Sequence, residues 1–162
     1  EINNAGIVLL WPFLQLFFKE LKLIEDKTFV DEESNWKAVQ LLHFLAFGNE
    51  VAEEPQWALN KILCGLKVSD FVPTEFSLSE AEKAECNNLL QAVVNNWKVL
   101  KNTSVQGLQT SFLVRNGLLK KDQNGLIIEI ARITIDLLLD KLNWTLSVIS
   151  LPWNNGLIHV KW

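Results

Sequence analysis

The chain has 162 residues, which is the length of one ordinary domain and excludes two large independent domains. Hydrophobic residues make up 49% and charged residues 21% of it, so we expect a globular core and not a disordered protein. The net charge of −4 provides no basic surface for nucleic acid, which we exclude as a partner. The longest apolar stretch, residues 6–18, is too short for a membrane span of about 20 residues.

The start of the chain carries no basic residue before its apolar run, so it lacks the pattern of an export signal. The chain contains no Met, which indicates a processed product or, the interpretation that we favour, a piece of a longer protein. Cys64 and Cys86 lie in apolar helical stretches without a C-x-x-C motif or a suitably spaced His. We therefore expect two buried thiols in a reducing compartment.

Charge is divided unevenly along the chain. Residues 1–85 carry a net charge of −8 and residues 86–162 a net charge of +4. These acidic and basic halves could pair within one fold or meet head to tail between subunits. We favour pairing within the fold, because heterologous contacts between subunits are the rarer kind.

Apolar residues at helical spacing predict about five helices in residues 1–116. The apolar run 6–10 is expected to be extended and buried, and Pro12 suits the first turn of the helix that follows it. The predicted helices cover residues 12–23, 31–47, 55–65, 77–97 and 103–113, and residues 68–76 form a connection.

Capping patterns mark the start of two of these helices. The fourth helix offers two capping-box starts, at Ser77 and at Ser79, and the sequence does not choose between them. Thr103 is predicted to cap the fifth helix. Trp57 and neighbouring apolar residues are expected to hold the third helix in the core, and Pro55 is expected to open it.

After Gly117, short Ile- and Leu-rich runs separated by turn residues predict a small antiparallel sheet. Residues 136–142 suit a helical turn better than a strand. The predicted strands are a hairpin of residues 118–121 and 126–133 around the loop 122–125, followed by strands at 146–151 and 157–162. The predicted fold class is therefore α+β in a single domain, 1–162, with a helical part at 1–116 and a β-rich part at 117–162.

Sequence motifs for catalysis and for cofactors are absent. None of the seven glycines lies in a phosphate-binding motif, and there is no G-x-S-x-G. His43 and His159 lie in an apolar helix and a strand, where a structural role is favoured. Asp136 and Asp140 share a face if their segment is helical, but a metal there is a weak hypothesis without a third ligand. We therefore predict no enzyme, and no catalytic, cofactor-binding or metal-binding residue.

Seven Trp residues are a clear excess for this length, and Trp is common both in cores and at protein interfaces. Three of them on helical apolar faces are predicted to be buried, namely Trp36, Trp57 and Trp97. Three others stand at turns or at the terminus, where they could as easily contact another chain, namely Trp144, Trp153 and Trp162.

Nine blocks of sequence occur in a fixed order along the chain. The first six are NAGIVLLWPFL (4–14), LLHFLAFG (41–48), LNKILCGL (59–66), LKNTSVQGL (100–108), SFL (111–113) and RNG (115–117). The last three are DLLLDKL (136–142), VISLPW (148–153) and HVKW (159–162). In this order the blocks resemble the contractile injection system tape measure protein family over essentially the whole chain. The chain departs from the pattern at Asn143, where the family leads us to expect Pro, and at Asn154, where it leads us to expect an apolar residue.

The resemblance implies a structural assembly protein of a bacterial, phage-tail-like particle that contracts a sheath around a rigid tube. Such a protein sets tube length, and this chain would be the C-terminal domain that anchors it to the spike and baseplate hub. Assembly would take place in the bacterial cytoplasm, with tube, spike and baseplate proteins and further copies of the chain, as a trimer or hexamer, as partners. The expected interface residues are Trp11, Pro12, Phe13, Asn102, Thr103, Ser104, Trp144, Trp153 and Trp162.

Other functions stay open at this point. A cap-end assembly adaptor would be little longer than this domain, whereas a tape measure would carry long helical or apolar segments before Glu1. A binding module would use the apolar second helix to line a closed cavity for a cargo effector or a hydrophobic ligand. An enzyme would need a cleft that brings His43, Asp136 and Asp140 within hydrogen-bonding reach.

Overall fold

The computed structural model describes residues 1–52 and 57–162. A largely helical part is followed by a four-stranded sheet, which confirms the α+β class. The helices are α1 (Trp11–Glu20), α2 (Glu32–Phe47), α3 (Ala58–Leu63), α4 (Glu80–Asn96) and α5 (Val105–Leu108). The strands are β1 (Ile24–Glu25), β2 (Thr28–Phe29), β3 (Leu118–Asp122), β4 (Gly125–Glu129), β5 (Val148–Ile149) and β6 (Ile158–Lys161).

The segment before α1 is helical, so the prediction of an extended run at residues 6–10 is wrong. Ala5–Leu10 form a buried 3-10 helix. A 3-10 helix bonds amides to carbonyls three residues earlier, as the Ile7 amide bonds the Asn4 carbonyl, whereas a buried extended run would need a neighbouring strand. Gly6 is required here, because a Cβ on it would lie 1.6 Å from the carbonyl oxygen of Phe112.

The centre of the core is α2, which begins and ends as predicted. Asp31 accepts a hydrogen bond from the Ser34 amide at 2.7 Å, and Gly48 ends the helix in the left-handed conformation with φ of +70°. Four of its aliphatic side chains are fully buried, namely Val39, Leu41, Leu42 and Leu45, whereas its larger aromatic side chains are half-buried. Its apolar composition therefore serves internal packing.

Helix α4 uses the second of the two capping boxes that the sequence offers. The Ser79 hydroxyl accepts from the Glu82 amide at 3.1 Å, and the Glu82 carboxylate accepts from the Ser79 amide at 2.8 Å. The predicted apolar face is confirmed by the burial of Cys86, Leu89, Leu90, Val93, Val94 and Trp97. The two thiols, Cys64 and Cys86, are both free and buried, and burial raises the pKa of Cys86 to about 12.

The cap of α5 is Ser104, so the prediction of Thr103 is wrong. The Ser104 hydroxyl accepts from the Gly107 amide at 2.9 Å, whereas the Thr103 amide still bonds the Leu100 carbonyl of the preceding turn, at 2.7 Å. After α5 the chain continues as one π-helical turn, Gln109–Leu113. Together the two segments form the predicted helical stretch that ends before Gly117.

The third helix packs as predicted in the part that the structure describes. Trp57, Leu59 and Leu63 are fully buried, and Gly65 follows the helix with φ of +78°. The predicted opening of this helix at Pro55 lies outside the described residues. Among the helices that are described, none is both long enough and apolar enough to cross a bilayer.

The main sheet has the order β3-β4-β6-β5 and is mixed, so the prediction of a purely antiparallel sheet needs correction. The β3–β4 hairpin is antiparallel as predicted, but β4 and β6 pair in parallel. Residues 130–157 separate these two strands, and a connection of a dozen residues or more allows parallel pairing. Part of this connection is the 3-10 helix Thr134–Lys141, which confirms the predicted helical turn.

A short antiparallel hairpin, β1–β2, joins α1 to α2 and was not predicted from the sequence. Its turn includes Asp26 in the left-handed conformation, with φ of +59°. Phe29 of this hairpin packs against the Phe18 ring at a centroid distance of 5.6 Å. The hairpin therefore extends the aromatic part of the core.

Candidate functional site

Two hydrogen bonds, one from Trp11 and one from Trp144, link the start of the helical part to the β-rich part. The Trp11 indole N–H donates to the Thr145 carbonyl at 2.8 Å, and the Trp144 indole N–H donates to the Leu9 carbonyl at 3.1 Å. The Phe13 ring meets the Trp144 ring edge-on at 5.2 Å. All three rings are half-buried and Pro12 beside them is exposed, so four of the predicted interface residues lie together. We call Trp11, Pro12, Phe13 and Trp144 the aromatic patch.

Trp153 lies at a second junction, between the β-rich part and the end of α3. Its indole N–H donates to the Leu63 carbonyl at 2.8 Å, and its half-buried ring packs against both Phe18 and Phe29. The side-chain amide of Asn154 donates to the Ile62 carbonyl at 3.3 Å. This hydrogen bond gives a structural role to the polar residue that stands where the family pattern is apolar.

Trp162 lies at a third junction, beside a buried ion pair that the sequence analysis missed. Arg115 binds both carboxylate oxygens of Asp136 at 2.7 Å, and its guanidinium lies 5.4 Å from the Trp162 ring centroid. Asp136 also accepts from the Ile133 amide at 2.9 Å and from the Trp162 indole at 3.1 Å. The only signal of this pair in the sequence is that Arg115 follows a buried helical stretch and Asp136 lies in a later apolar run.

The protonation of Asp136 follows from these contacts. Asp136 is fully buried, and burial by itself raises the pKa of its carboxyl group. The hydrogen bonds from Arg115, Ile133 and Trp162 together lower this pKa by more than burial raises it. The pKa therefore lies below the ordinary value of 3.8. The carboxylate is ionised at neutral pH and its oxygens are occupied. Asp136 is therefore a structural residue, and the weak hypothesis of a metal at Asp136 and Asp140 gains no support.

The polar turn at residues 102–104 is a helix start. Asn102 is exposed, Thr103 bonds the preceding turn and Ser104 caps α5. Among the hydrogen bonds and ring contacts of the described residues, none links this turn to the aromatic patch. Its predicted interface role is thus separate from that of the patch.

The three residues that could have indicated an enzyme have different partners. His43 is buried, its Nε2 pairs with Asn49 at 3.1 Å, and burial lowers its pKa. Asp140 pairs with Arg132 at 3.1 Å on the surface, and Asp136 pairs with Arg115. In residues 1–52 and 57–162 there is also no cluster of three or more His, Cys, Asp or Glu suited to a metal ion.

Trp57 and Trp97 are fully buried as predicted, whereas Trp36 is only half-buried, so its predicted burial is wrong. The Trp36 ring meets the exposed Phe71 edge-on at 5.9 Å. Phe71 belongs to the connection before α4 and is itself exposed, so the pair leaves the Trp36 indole partly open to solvent. The helical spacing of Trp36 could not reveal how little chain would cover it.

Every ion pair between described residues joins two groups of the same half of the chain. Those in the acidic half are Lys37–Glu82, Lys83–Glu50 and Lys83–Glu80. Those in the basic half are Arg115–Asp136, Lys120–Glu129, Arg132–Asp140 and Lys161–Glu129. No ion pair between described residues therefore joins the two halves, and their pairing within the fold stays a prediction.

An apolar groove lies between α1 and α4 and was not predicted. It has a volume of about 170 Å³, and its lining consists of the apolar residues Phe13, Leu16, Phe17, Leu89 and Ala92 and the polar residues Glu20, Glu85 and Asn88. Leu16 is 63% exposed. We call this feature the α1–α4 groove.

Three aliphatic side chains protrude around Asp136. Ile133 is 55% exposed, Ile135 37% and Leu137 65%. Asp136 holds their backbone in place, because its carboxylate accepts from the Ile133 amide while bound to Arg115. We call Ile133, Ile135 and Leu137 the aliphatic knob.

Comparison with known proteins identifies the family. A family model described as contractile injection system tape measure protein matches residues 1–162. No curated protein and no solved structure matches the chain. The match over the whole chain confirms the resemblance carried by the nine sequence blocks, and the chain belongs to the contractile injection system tape measure protein family.

Proposed function

We propose that this chain is the anchoring domain of a tape measure protein and holds one end of a longer molecule on the end complex of the tube. The observation that supports this proposal is its packing into one core cluster. A packed chain of 162 residues has a radius of gyration of about 15 Å, and α4, with 17 residues, is about 25 Å long. A ruler must extend along the tube that it measures. A compact unit therefore suits an anchor, and the measuring segment would lie elsewhere in the molecule.

In this proposal the chain is a single domain at the C-terminal end of the longer protein and works by binding, not by catalysis. It is assembled in the bacterial cytoplasm and then held within the particle. Its partners are the spike and baseplate hub, the tube, and further copies of itself in a trimer or hexamer, since identical chains close into symmetric rings.

The aromatic patch is the proposed docking surface. The indole N–H groups of Trp11 and Trp144 are already bonded within the chain, so a partner could cover the rings without leaving a buried donor unpaired. Half-buried aromatic rings of this kind provide large contact areas at protein interfaces. Trp153, Trp162 and the turn at residues 102–104 are further contact residues in the proposal.

The proposal is tested by electron microscopy of particles from cells that make the full-length protein with a stop codon at the position of Glu1. Particles should be absent, or their tubes should vary in length, because the ruler has lost its anchor. Particles of normal number and length would overturn the anchoring role and favour a binding module for cargo. Shortening the segment before Glu1 should shorten the tubes in proportion, and a chain with no such segment would favour the cap-end adaptor.

A surface variant makes the test specific to the patch. Pro12→Asp introduces a charge at an exposed first-turn position of α1, where an acidic residue is compatible with the helix. The matched control is Leu157→Asp, which charges an exposed aliphatic residue outside the patch. We expect particle number to fall for Pro12→Asp and not for the control. Equal particle numbers for both variants would exclude the patch as the docking surface.

A further inference from the structure

The charge of the two halves is not neutralised by direct pairing within the described chain. The acidic half carries −8 and the basic half +4, and the ion pairs between described residues stay within each half. The two halves can therefore attract each other between copies. Such an attraction needs one complementary surface in each half.

The acidic half contributes most of the α1–α4 groove. Glu20 and Glu85 belong to its lining, and among the described residues neither forms an ion pair. The floor of the groove is apolar, and its volume of about 170 Å³ is several times the roughly 30 Å³ that a water molecule occupies in the liquid. An aliphatic side chain flanked by cations would match both the apolar lining and the two carboxylates.

The basic half contributes the aliphatic knob. The knob lies in and next to the 3-10 helix Thr134–Lys141, which packs against the turn Lys98–Leu100. Three exposed lysines belong to these two segments: Lys98 and Lys101 lie in and just after the turn, and Lys141 ends the 3-10 helix. The Arg115–Asp136 pair fixes the backbone of the knob, so little conformational entropy would be lost when Leu137 becomes covered.

We propose that the aliphatic knob of one copy of this chain docks in the α1–α4 groove of the next copy, with Leu137 on the apolar floor and the lysines facing Glu20 and Glu85. Leu16 in the groove and Leu137 in the knob are both exposed in the same folded chain, so the two surfaces meet only between copies. The contact is heterologous, and repeating it closes a ring or extends a filament. The proposal deepens the self-association in the proposed function by naming the two surfaces.

Cross-linking between two single-cysteine variants tests the contact. Leu16→Cys and Leu137→Cys are purified separately as 162-residue chains, mixed and treated with a short bismaleimide. The native thiols are both buried, so we do not expect them to react while the chain is folded. The control pair is Leu16→Cys with Leu157→Cys, which places the second thiol on an exposed aliphatic residue outside the knob. We expect the test pair to give at least about tenfold more heterodimer than the control pair.

Each variant on its own provides a second control. In a heterologous contact, Leu16→Cys alone and Leu137→Cys alone bring no two thiols together, so neither should cross-link efficiently. Equal yields for the test and control pairs would overturn the proposal. Efficient cross-linking of Leu137→Cys with itself would overturn it as well, because it would show that two knobs meet each other.

Charge reversal tests the contact between the carboxylates of the groove and the lysines beside the knob. Glu20→Lys with Glu85→Lys in the groove partner should lower the heterodimer yield about tenfold, because lysines would then face lysines. Lys101→Glu with Lys141→Glu in the knob partner should restore it. Reversal without an effect, or without rescue, would contradict the proposed orientation.

These results are independent of the particle experiment. If cross-linking fails while truncation at Glu1 disrupts the tubes, the anchoring function stands and this contact between copies is wrong. If cross-linking succeeds while tubes form normally without the domain, the contact stands and the anchoring function is wrong.

Discussion

Of the 40 buried apolar side chains that the structure describes, 34 precede Gly117 and only six follow it. The β-rich part is joined to the rest by directed contacts: the indole hydrogen bonds of Trp11, Trp97, Trp144 and Trp153, and the Arg115–Asp136 pair. Full apolar burial is therefore concentrated in the helical part. The β-rich part packs fewer fully buried side chains against the core and depends more on a few polar contacts at its junctions.

This difference predicts how each part responds to change. Apolar burial is spread over many side chains, so its energy falls gradually as single contacts are lost. A buried polar contact instead leaves an unpaired group when one partner is removed, and that cost is concentrated in one residue. Single substitutions at the junctions should therefore have the largest effects, and the β-rich part should open before the helical part.

The largest effect is expected for Asp136→Asn. The substitution leaves the buried Arg115 guanidinium without a counter-charge, and removing one partner of a buried ion pair costs about 3–5 kcal/mol. Urea unfolding of the wild type and the variant measures this change. The matched control is Asp140→Asn, because Asp140 pairs with Arg132 on the surface and should cost less than about 1 kcal/mol. Similar losses for the two variants would contradict the importance of the buried junction.

The difference in stability between the wild type and Asp136→Asn should also depend on pH. The pKa of Asp136 in the folded chain lies below its ordinary value of 3.8, so the unfolded chain binds the proton more readily. The stability that Asp136 contributes is fully present above the ordinary value and is lost as the pH falls through the folded pKa. The stability difference between the wild type and Asp136→Asn should therefore narrow as the pH falls below about 4. Urea unfolding of both proteins at several pH values measures this difference. A difference in unfolding free energy that stays constant with pH would show that the ionised Asp136 carboxylate is not its source.

The next largest effect is expected for Gly6→Ala in the helical part. The new Cβ would lie 1.6 Å from the Phe112 carbonyl oxygen, so backbone segments must move apart in a packed core, at a cost of about 3 kcal/mol. The control is Gly156→Ala, since a Cβ there has no heavy atom within 4 Å. Thermal unfolding compares the stability of the two variants. A Gly6→Ala variant as stable as the control would show that the backbone around Gly6 can move apart at little cost.

A smaller effect is expected for Trp153→Phe, which keeps an aromatic ring against Phe18 and removes the indole N–H. The Leu63 carbonyl then loses its donor, at a cost of about 1–3 kcal/mol. Trp36→Phe is the control, because among the described contacts Trp36 has a ring partner but no hydrogen bond. Hydrogen exchange should show faster opening of the β-rich part for Trp153→Phe and not for Trp36→Phe. Unchanged exchange in both would mean that this indole bond does not fasten the junction.

Local sequence patterns predicted those parts of the fold whose hydrogen bonds lie close in sequence. The cap and end of α2, the apolar face of α4 and the β3–β4 hairpin all depend on residues a few positions apart. The run at residues 6–10 had no period, so its 3-10 conformation could not be recognised. The parallel pairing of β4 with β6 depends on how a long connection returns, which no local pattern specifies.

The candidate site was predicted only in part, for the same reason. An excess of Trp indicated the junction residues, but not that the indoles of Trp11 and Trp144 bond carbonyls more than 130 positions away. Arg115 and Asp136 are 21 residues apart, and only the fold brings them together. The α1–α4 groove needs two helices that are distant in sequence. The site is thus set by long-range packing, which the local patterns of the sequence do not specify.

The smallest effect on stability is expected at the start of α4, where the structure contains a helix cap that the sequence pattern predicted. Ser79→Ala removes the hydroxyl that accepts from the Glu82 amide and should cost about 1 kcal/mol. Ser77→Ala is the control, because the sequence offers the same capping pattern there and the helix does not use it. Urea unfolding should separate the variants by about 1 kcal/mol without changing the slope of the transition. Because the cap lies at one end of a helix whose buried face provides most of its stability, a loss of 3 kcal/mol or more would mean that α4 depends on directed contacts as the β-rich part does.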